Sequence, residues 1–408
     1  MKKLFTFAFF LFISASCFSQ NAKLLEFRFK KGDKSRILST VEENVYLNGA
    51  LNHTSVILNR ISCEVTDVDE NGTGTCSAVF MTSEKATSGT GRPVNYTWGE
   101  EYKSVFARDV RGKYSIDDNF FMPTVRNVPV FPDYPVKCGD TWQEEGHEAH
   151  DMRRTFNIPK PFIVPFVADY EYVEDFTDSN DKTFAVIQIF YKLYFESPAT
   201  GRMYNQGGMI PHITSGYSNQ LIYWDNERGC IDHYSEEFRI MIQTLSGDQI
   251  VFAGTAHAEV TEFERVATKE NLEKITDIVS ELELANVDVK KGEKGITISI
   301  ENIQFLPDSS VLMPEEEEKL SHIAEILKGF KNDLLITGHC AQRGTVKNQQ
   351  IISEERAQSV ARYLSELNVR PAECIFTQGK GAQEPVASNA TEAGRARNRR
   401  VEITIVDY

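Results

Sequence analysis

From Lys23 to Phe263 this chain is written almost entirely in strand signals, and from Lys269 onward the apolar period becomes that of helices alternating with short strands. Runs such as Phe184-Ala185-Val186-Ile187-Gln188-Ile189-Phe190-Tyr191 concentrate β-branched and aromatic residues between turn signals. No long helical period interrupts them. A segment of that kind must bury strand faces against one another, so an antiparallel, β-rich N-terminal region is expected. The 408 residues exceed the usual size of one core, and two or three domains are expected.

Two stretches of the β-rich region echo each other. Gly32-Asp33 recurs as Gly139-Asp140, Val65-Thr66-Asp67 as Val173-Glu174-Asp175, and Ala78-Val79 as Ala185-Val186, at offsets of 107 or 108 residues. A looser echo sets Asp109-Val110-Arg111-Gly112 beside Asp225-Asn226-Glu227-Arg228-Gly229. The reading is two antiparallel units of about 110 residues, 20–130 and 131–264, each opening on a Gly-Asp turn and containing a polar hairpin.

Residues 265–285 form a linker helix in this reading, because Leu272, Ile275, Ile278, Val279 and Leu282 recur mostly at spacings of three and four. A C-terminal domain, 286–408, follows. Val287 and Val289, a Gly-bearing turn from Lys290 to Gly295, and alternating Ile296, Ile298 and Ile300 predict a hairpin. Leu320, Ile323, Ala324, Leu327 and Phe330 then predict a helix, Leu334 to Gly338 a strand, and Ala357, Val360, Ala361, Leu364 and Leu367 a second helix. Cys374 to Gln378 and Val401 to Val406 supply the last strands. This order implies an α/β domain with helices on one face of a mixed sheet.

Three blocks in that domain carry a resemblance. Gly338-His339-Cys340-Ala341 follows a strand, Ser353-Glu354-Glu355-Arg356-Ala357 lies in an amphipathic run, and Asn389-Ala390-Thr391 leads into Gly394-Arg395-Ala396-Arg397-Asn398-Arg399-Arg400. From about Gly295 to Tyr408 the chain resembles the OmpA-like peptidoglycan-binding domain. The resemblance implies a non-enzymatic envelope protein that anchors or spaces the cell wall against the outer envelope, in the periplasm or at the outer membrane. It also implies that Arg356 grips a carboxylate of the wall's diaminopimelate through paired, charge-assisted hydrogen bonds.

Gln349, Ser353 and Arg356 are four and three residues apart and share a helix face that can look toward the loop from His339 to Arg343. Gln349 stands where the family has Asn, and Asn389 and Arg397 belong to the block beside the pocket. In the family the first block ends in Asp, which holds the ligand's ammonium; here that position is Ala341. Losing one partner of a buried charged pair costs about 2 to 5 kcal/mol. Three outcomes stand open: weak wall binding, binding of another ligand such as a free carboxylate, or a fold kept as a structural module. The bland alternatives are that Arg356 bonds a neighbouring carboxylate and that the arginines of the last block pair with acids such as Glu315 to Glu318.

The remaining signals set limits. Residues 1–19 read as a secretory signal, with Lys2 and Lys3 before the apolar run Leu4 to Ala15, too short to span a bilayer. Cys17 is a lipid-attachment alternative to cleavage leaving Gln20 first. A formal net charge of −15 argues against nucleic acid and against an anionic membrane surface. Of the cysteines, Cys63 and Cys76 flank a hairpin and are expected as the better disulfide pair, whereas Cys340 and Cys374 are expected at opposite ends of a sheet, beyond disulfide reach. Asp67 to Gly72 matches half of a calcium loop but reads as a polar hairpin, and His147-Glu148-Ala149-His150 is one residue short of a zinc-protease motif. Asn52, Asn71 and Asn95 begin glycosylation sequons by pattern alone. Phosphate-loop, dinucleotide and nucleophile-elbow patterns are absent, so no cofactor is implied. Two rivals to the wall-anchor reading remain: a periplasmic carrier whose β units enclose an apolar ligand, with Phe162, Phe166, Tyr170, Tyr172, Phe190, Tyr191 and Tyr194 as its aromatic complement, and an N-terminal outer-membrane barrel. Charges on both strand faces and the Pro159 to Pro165 stretch weigh against the barrel.

Overall fold

The computed structural model describes residues 21–86, 96–197, 210–261, 266–305 and 312–407. The signal segment with Cys17, and also Asn95 and Phe263, lie outside the described residues. Through Thr261 the elements are β1 (Lys34–Leu47), β2 (Ala50–Val68), β3 (Gly74–Ala86), β4 (Tyr96–Thr97), β5 (Glu101–Arg108), β6 (Tyr114–Ile116), β7 (Val125–Arg126), β8 (Thr141–His150), the short helix α1 (Arg153–Phe156), β9 (Phe162–Thr177), β10 (Thr183–Glu196), β11 (Pro211–Asp225), β12 (Cys230–Thr244) and β13 (Gln249–Thr261). The β-rich reading of the N-terminal region holds. Two compact units divide the chain: Met1–Lys31, Val65–Cys76 and Phe106–Gln249 in one, Gly32–Glu64, Ser77–Val105 and Ile250–Tyr408 in the other.

In the first unit β7 to β12 form an antiparallel meander in sequence order. Strand alternation sorts its faces: Val164, Phe166, Ala168, Tyr170 and Tyr172 are buried while Pro165, Val167, Asp169 and Glu171 are exposed. The buried face packs around Trp224 and Phe131, with Leu25 and Phe27 of the N-terminal segment filling the same core. Trp142 stacks on Tyr170 with centroids 5.1 Å apart.

Four turns of this unit are built alike. Asp69 Oδ1 accepts from the backbone N–H groups of Asn71 and Thr73 at 2.9 and 2.8 Å, and Asp178 Oδ1 from Asn180 and Lys182 at 2.8 and 2.9 Å. Asp109 receives Gly112 and Lys113, and Asp225 receives Glu227 and Arg228. A short carboxylate can satisfy its own turn in this way. The calcium-like segment is thus the Asp69 hairpin turn between β2 and β3. Along the chain, Gly32 (φ +90°), two strands, an Asp turn, two further strands, an Asp turn and a strand run from β1 to β6, the two-residue β4 aside; Gly139 (φ +88°) opens the same succession from β8 to β12.

In the second unit β1 pairs antiparallel with β2 and β13. The C-terminal elements are α2 (Lys269–Glu281), β14 (Val287–Gly292), β15 (Gly295–Glu301), α3 (Pro314–Lys328), β16 (Leu334–Gly338), α4 (Val346–Glu366), β17 (Ile375–Gly379), α5 (Glu392–Asn398) and β18 (Arg400–Val406). Thr268, Thr345 and Thr391 cap α2, α4 and α5 by accepting from the N–H three residues on. The sheet order is β14-β15-β18-β16-β17-β4, with β16 parallel to β17 and β17 parallel to β4. Cys340 and Cys374 therefore lie at opposite ends of the parallel pair.

One face of this sheet, with Ile296, Ile298, Ile336, Ile403 and Ile405, packs on Leu320, Ile323, Leu327, Val360 and Leu364 of the helices. Leu335, Phe376 and Val406, on the other face, cluster with Leu58, Met81 and Trp98 from the earlier strands. Trp98 meets Phe376 edge-on at 5.5 Å and its N–H donates to Thr377 O at 2.8 Å. Beside them Asp333, 3% exposed, receives Arg60 Nε at 2.7 Å and Arg36 on the same oxygen, while the Arg60 guanidinium lies 3.9 Å from the Phe376 ring centre.

Candidate functional site

At the C-terminal end of β16 the chain must pass close under α4, and Gly338 permits it: a Cβ there would stand 1.9 Å from Ser353 O. Lys380 N–H donates to Gly338 O and Cys340 N–H to Gly381 O, tying the loop after β16 to the loop after β17. Ser353, fully buried, closes the knot by accepting from Gly381 N–H at 2.9 Å and donating to Gln350 O. Gln349 donates to Arg343 O and Gly344 O at 3.3 Å each, so its amide holds the loop and is not turned to solvent.

The last block frames the other side. Asn389 Oδ1 accepts from Gln342 N–H and from Asn398 Nδ2, each at 3.0 Å. Asn398, 1% exposed, also accepts from the Val386 and Ala387 N–H groups and donates to Ala387 O. This buried amide organises the block, and sequence reading passed it over. His339 is buried, 3.4 Å from Arg400 and 3.8 Å from Glu402, and burial lowers its pKa. Burial opposes the charge of Glu402 too, but the neighbouring His339 and a hydrogen bond from Arg400 Nε at 2.9 Å hold its carboxyl well below the ordinary value.

Arg356 projects from α4 with its guanidinium 5.2 Å from the ring centre of Phe305. Among the described residues no carboxylate pairs with it and no hydrogen bond engages it. Burial lowers its pKa, the Cys340 thiol opposes that shift, and the charge of Arg399 adds to it. Cys340 is itself buried against Arg356, with burial pushing its thiol up. Ala341, 8% exposed, presents only a methyl group where the loop turns. Arg397 faces elsewhere, with Nε 2.9 Å from Glu301 Oε2, and Arg395 and Arg399 pair with Glu392. The structure thus ties His339, Ala341, Gln349, Ser353 and Asn389 into one set of joined loops beside Arg356 and commits Arg397 to an ion pair. Phe305, Cys340 and Arg399 are the neighbours of Arg356 that the spacing argument left out. A half-buried guanidinium over an aromatic face, without a partner among the described residues, can receive an anion.

The OmpA family profile matches residues 304–399. Outer membrane protein A of Bordetella avium is 42% identical over 100 residues, 24% of this chain and 51% of that protein, so the chain spans about half the length of that relative. Peptidoglycan-associated lipoprotein of Pseudomonas aeruginosa is 35% identical over 117 residues, 29% of this chain and 69% of that protein. Peptidoglycan-binding protein ArfA of Mycobacterium tuberculosis is 38% identical over 104 residues, 25% of this chain and 32% of that protein. The chain belongs to the OmpA family through this C-terminal domain. Its relatives are envelope proteins, and the β-rich N-terminal region is joined to a domain of that class.

Proposed function

We propose that this is an exported, non-enzymatic envelope protein whose C-terminal domain holds a carboxylate of a wall stem peptide with Arg356, spacing peptidoglycan against the outer envelope. The observation that carries the reading is the Arg356 guanidinium, stacked on Phe305 and free of any carboxylate among the described residues. Ala341 weakens the grip on a diaminopimelate-type ligand, because the loop from His339 to Thr345 contains no acid to accept from an ammonium. Residues 1–19 serve export in this reading, and the matching succession of turns and strands from Gly32 and from Gly139 supports a duplicated β-rich region.

Titration of the mature protein with a diaminopimelate-containing muropeptide tests it. Wild type binds weakly, and Ala341→Asp restores a charged hydrogen bond of about 1.5 to 3 kcal/mol, roughly tenfold or more in affinity. Arg356→Ala removes that gain. Wild-type affinity equal to that of Ala341→Asp overturns the weakened clamp, and binding indifferent to Arg356→Ala overturns the site.

A further inference from the structure

In the first compact unit a chain of polar side chains crosses the apolar inner face of the β8–β12 meander. Strand alternation sets Glu148 and His150 on that face of β8 and His147 on the other, so the His-Glu-Ala-His run is split between two sides. Tyr191 of β10 donates to Glu148 Oε1 at 2.8 Å, and Ser218 of β11 donates to Glu236 Oε1 of β12 at 2.6 Å, with Gln220 supporting both Ser218 and Glu236. In a flat sheet β8 and β12 would stand about 19 Å apart, four strand spacings of about 4.8 Å. Tyr191 and Ser218 stand opposite each other in the β10–β11 register, so these side chains link the two carboxylates across the intervening strands.

The basic side chain that faces the carboxylates is His150, on β8 with Glu148. Among the described residues, the inward side chains of β9, β10 and β11 include no lysine or arginine, and Glu148 is a charged group that acts on Glu236. Glu148, 3% exposed, has its Oε2 2.9 Å from His150 Nε2, yet neither atom reaches hydrogen-bond geometry with a partner among the described residues. Thr214, 1% exposed and on the same face of β11, is an independent second case: its hydroxyl has no partner among the described residues. Aromatic rings complete the surface, Phe166 stacked on Tyr191 at 3.8 Å and Phe162 edge-on to Phe195 at 5.7 Å. Carboxylates beside aromatic faces suit a cation with an apolar body, because ring quadrupoles and anions both attract an ammonium.

We propose that the inner face of β8–β12, at Glu148, Glu236 and Tyr191, binds the ammonium of an amphipathic amine whose apolar chain lies along Phe162, Phe166 and Phe195. This site is independent of the wall-binding reading and uses none of its residues. Burial foremost, together with Glu148, pushes the Glu236 carboxyl up, which leaves a shared proton as the competing way to balance the pair.

Calorimetric titration of the mature protein at pH 7.5 with octylamine, octanol and octanoate decides between them. The proposal expects octylamine to bind at least tenfold tighter than either of the others, and Glu148→Gln or Glu236→Gln to reduce octylamine affinity tenfold while leaving octanol unchanged. Equal affinities for octylamine and octanol overturn it and assign the pair to a shared proton. Should either variant fail to fold by circular dichroism, the comparison of the three probes on the unaltered protein decides alone.

Discussion

Replacing Asp333 by alanine would remove the carboxylate that Arg36 and Arg60 share on the covered side of the C-terminal sheet. Asp333 and Arg60 are each 3% exposed in their side chains and Arg36 is 15% exposed, so the triad is almost dry. Breaking a buried pair by removing one partner costs about 3 to 5 kcal/mol, because the remaining charge stays desolvated. Arg36 is near enough to solvent to rehydrate, whereas Arg60 is held over Phe376 and is not, which places the expectation at about 3 to 4 kcal/mol. Hydrogen–deuterium exchange of β16 and β17 in the mature protein reads it as a fall in the free energy of local opening. Replacing all three together, Arg36→Met, Arg60→Met and Asp333→Leu, should be near neutral by the same measurement, since the attraction and the desolvation cost vanish together. A loss below about 1 kcal/mol for Asp333→Ala alone, the scale of a surface pair, would refute the reasoning.

Gly338→Ala should destabilise the domain by about 1 to 3 kcal/mol in thermal denaturation, since the added methyl must push α4 off the end of β16. Asn398→Ala leaves the Val386 and Ala387 N–H groups without their acceptor; a loss of about 1 to 3 kcal/mol, with faster exchange at those amides, is expected. Glu402 contributes stability that is present above the unfolded carboxyl's value near 4.5 and is lost as pH falls through its depressed folded value. Urea denaturation of Glu402→Gln should accordingly show a flatter decline below pH 4 than wild type, and identical slopes would contradict the assignment.

The C-terminal elements were legible because their cores are periodic: Leu320, Ile323 and Leu327 fall on one helix face and Ile296, Ile298 and Ile300 on one strand face, and all are buried. Arg356 was legible from its block, and Ala341 from the residue it replaces. Contacts between distant segments were not. Tyr96-Thr97 is too short to carry a period, yet its backbone pairs with β17. Asp333, in a polar turn before β16, reads as a solvated residue until Arg36 and Arg60 arrive from almost three hundred residues upstream. Arg397 pairs with Glu301 across 96 positions, which no local pattern announces. Glu148 lies in a strand whose alternation is visible, but its link to Glu236 runs through Tyr191 and Ser218 on two other strands, which no local pattern announces.

The pairing of β4 with β17 has a consequence for assembly. Without it β17 would be an open sheet edge, offering unpaired backbone groups to any strand from another chain. A short segment from the N-terminal region occupies that edge, while the opposite edge strand β14 carries Lys290 and Lys291, charges that discourage strand addition. The strand that finishes the sheet leaves the ribosome far ahead of the strand it covers. High contact order of this kind slows folding, because a long loop must close before the pairing rewards it. The newly made chain therefore passes through an interval in which the C-terminal domain has its helices in place and its last edge still exposed, which is when self-association competes with completion.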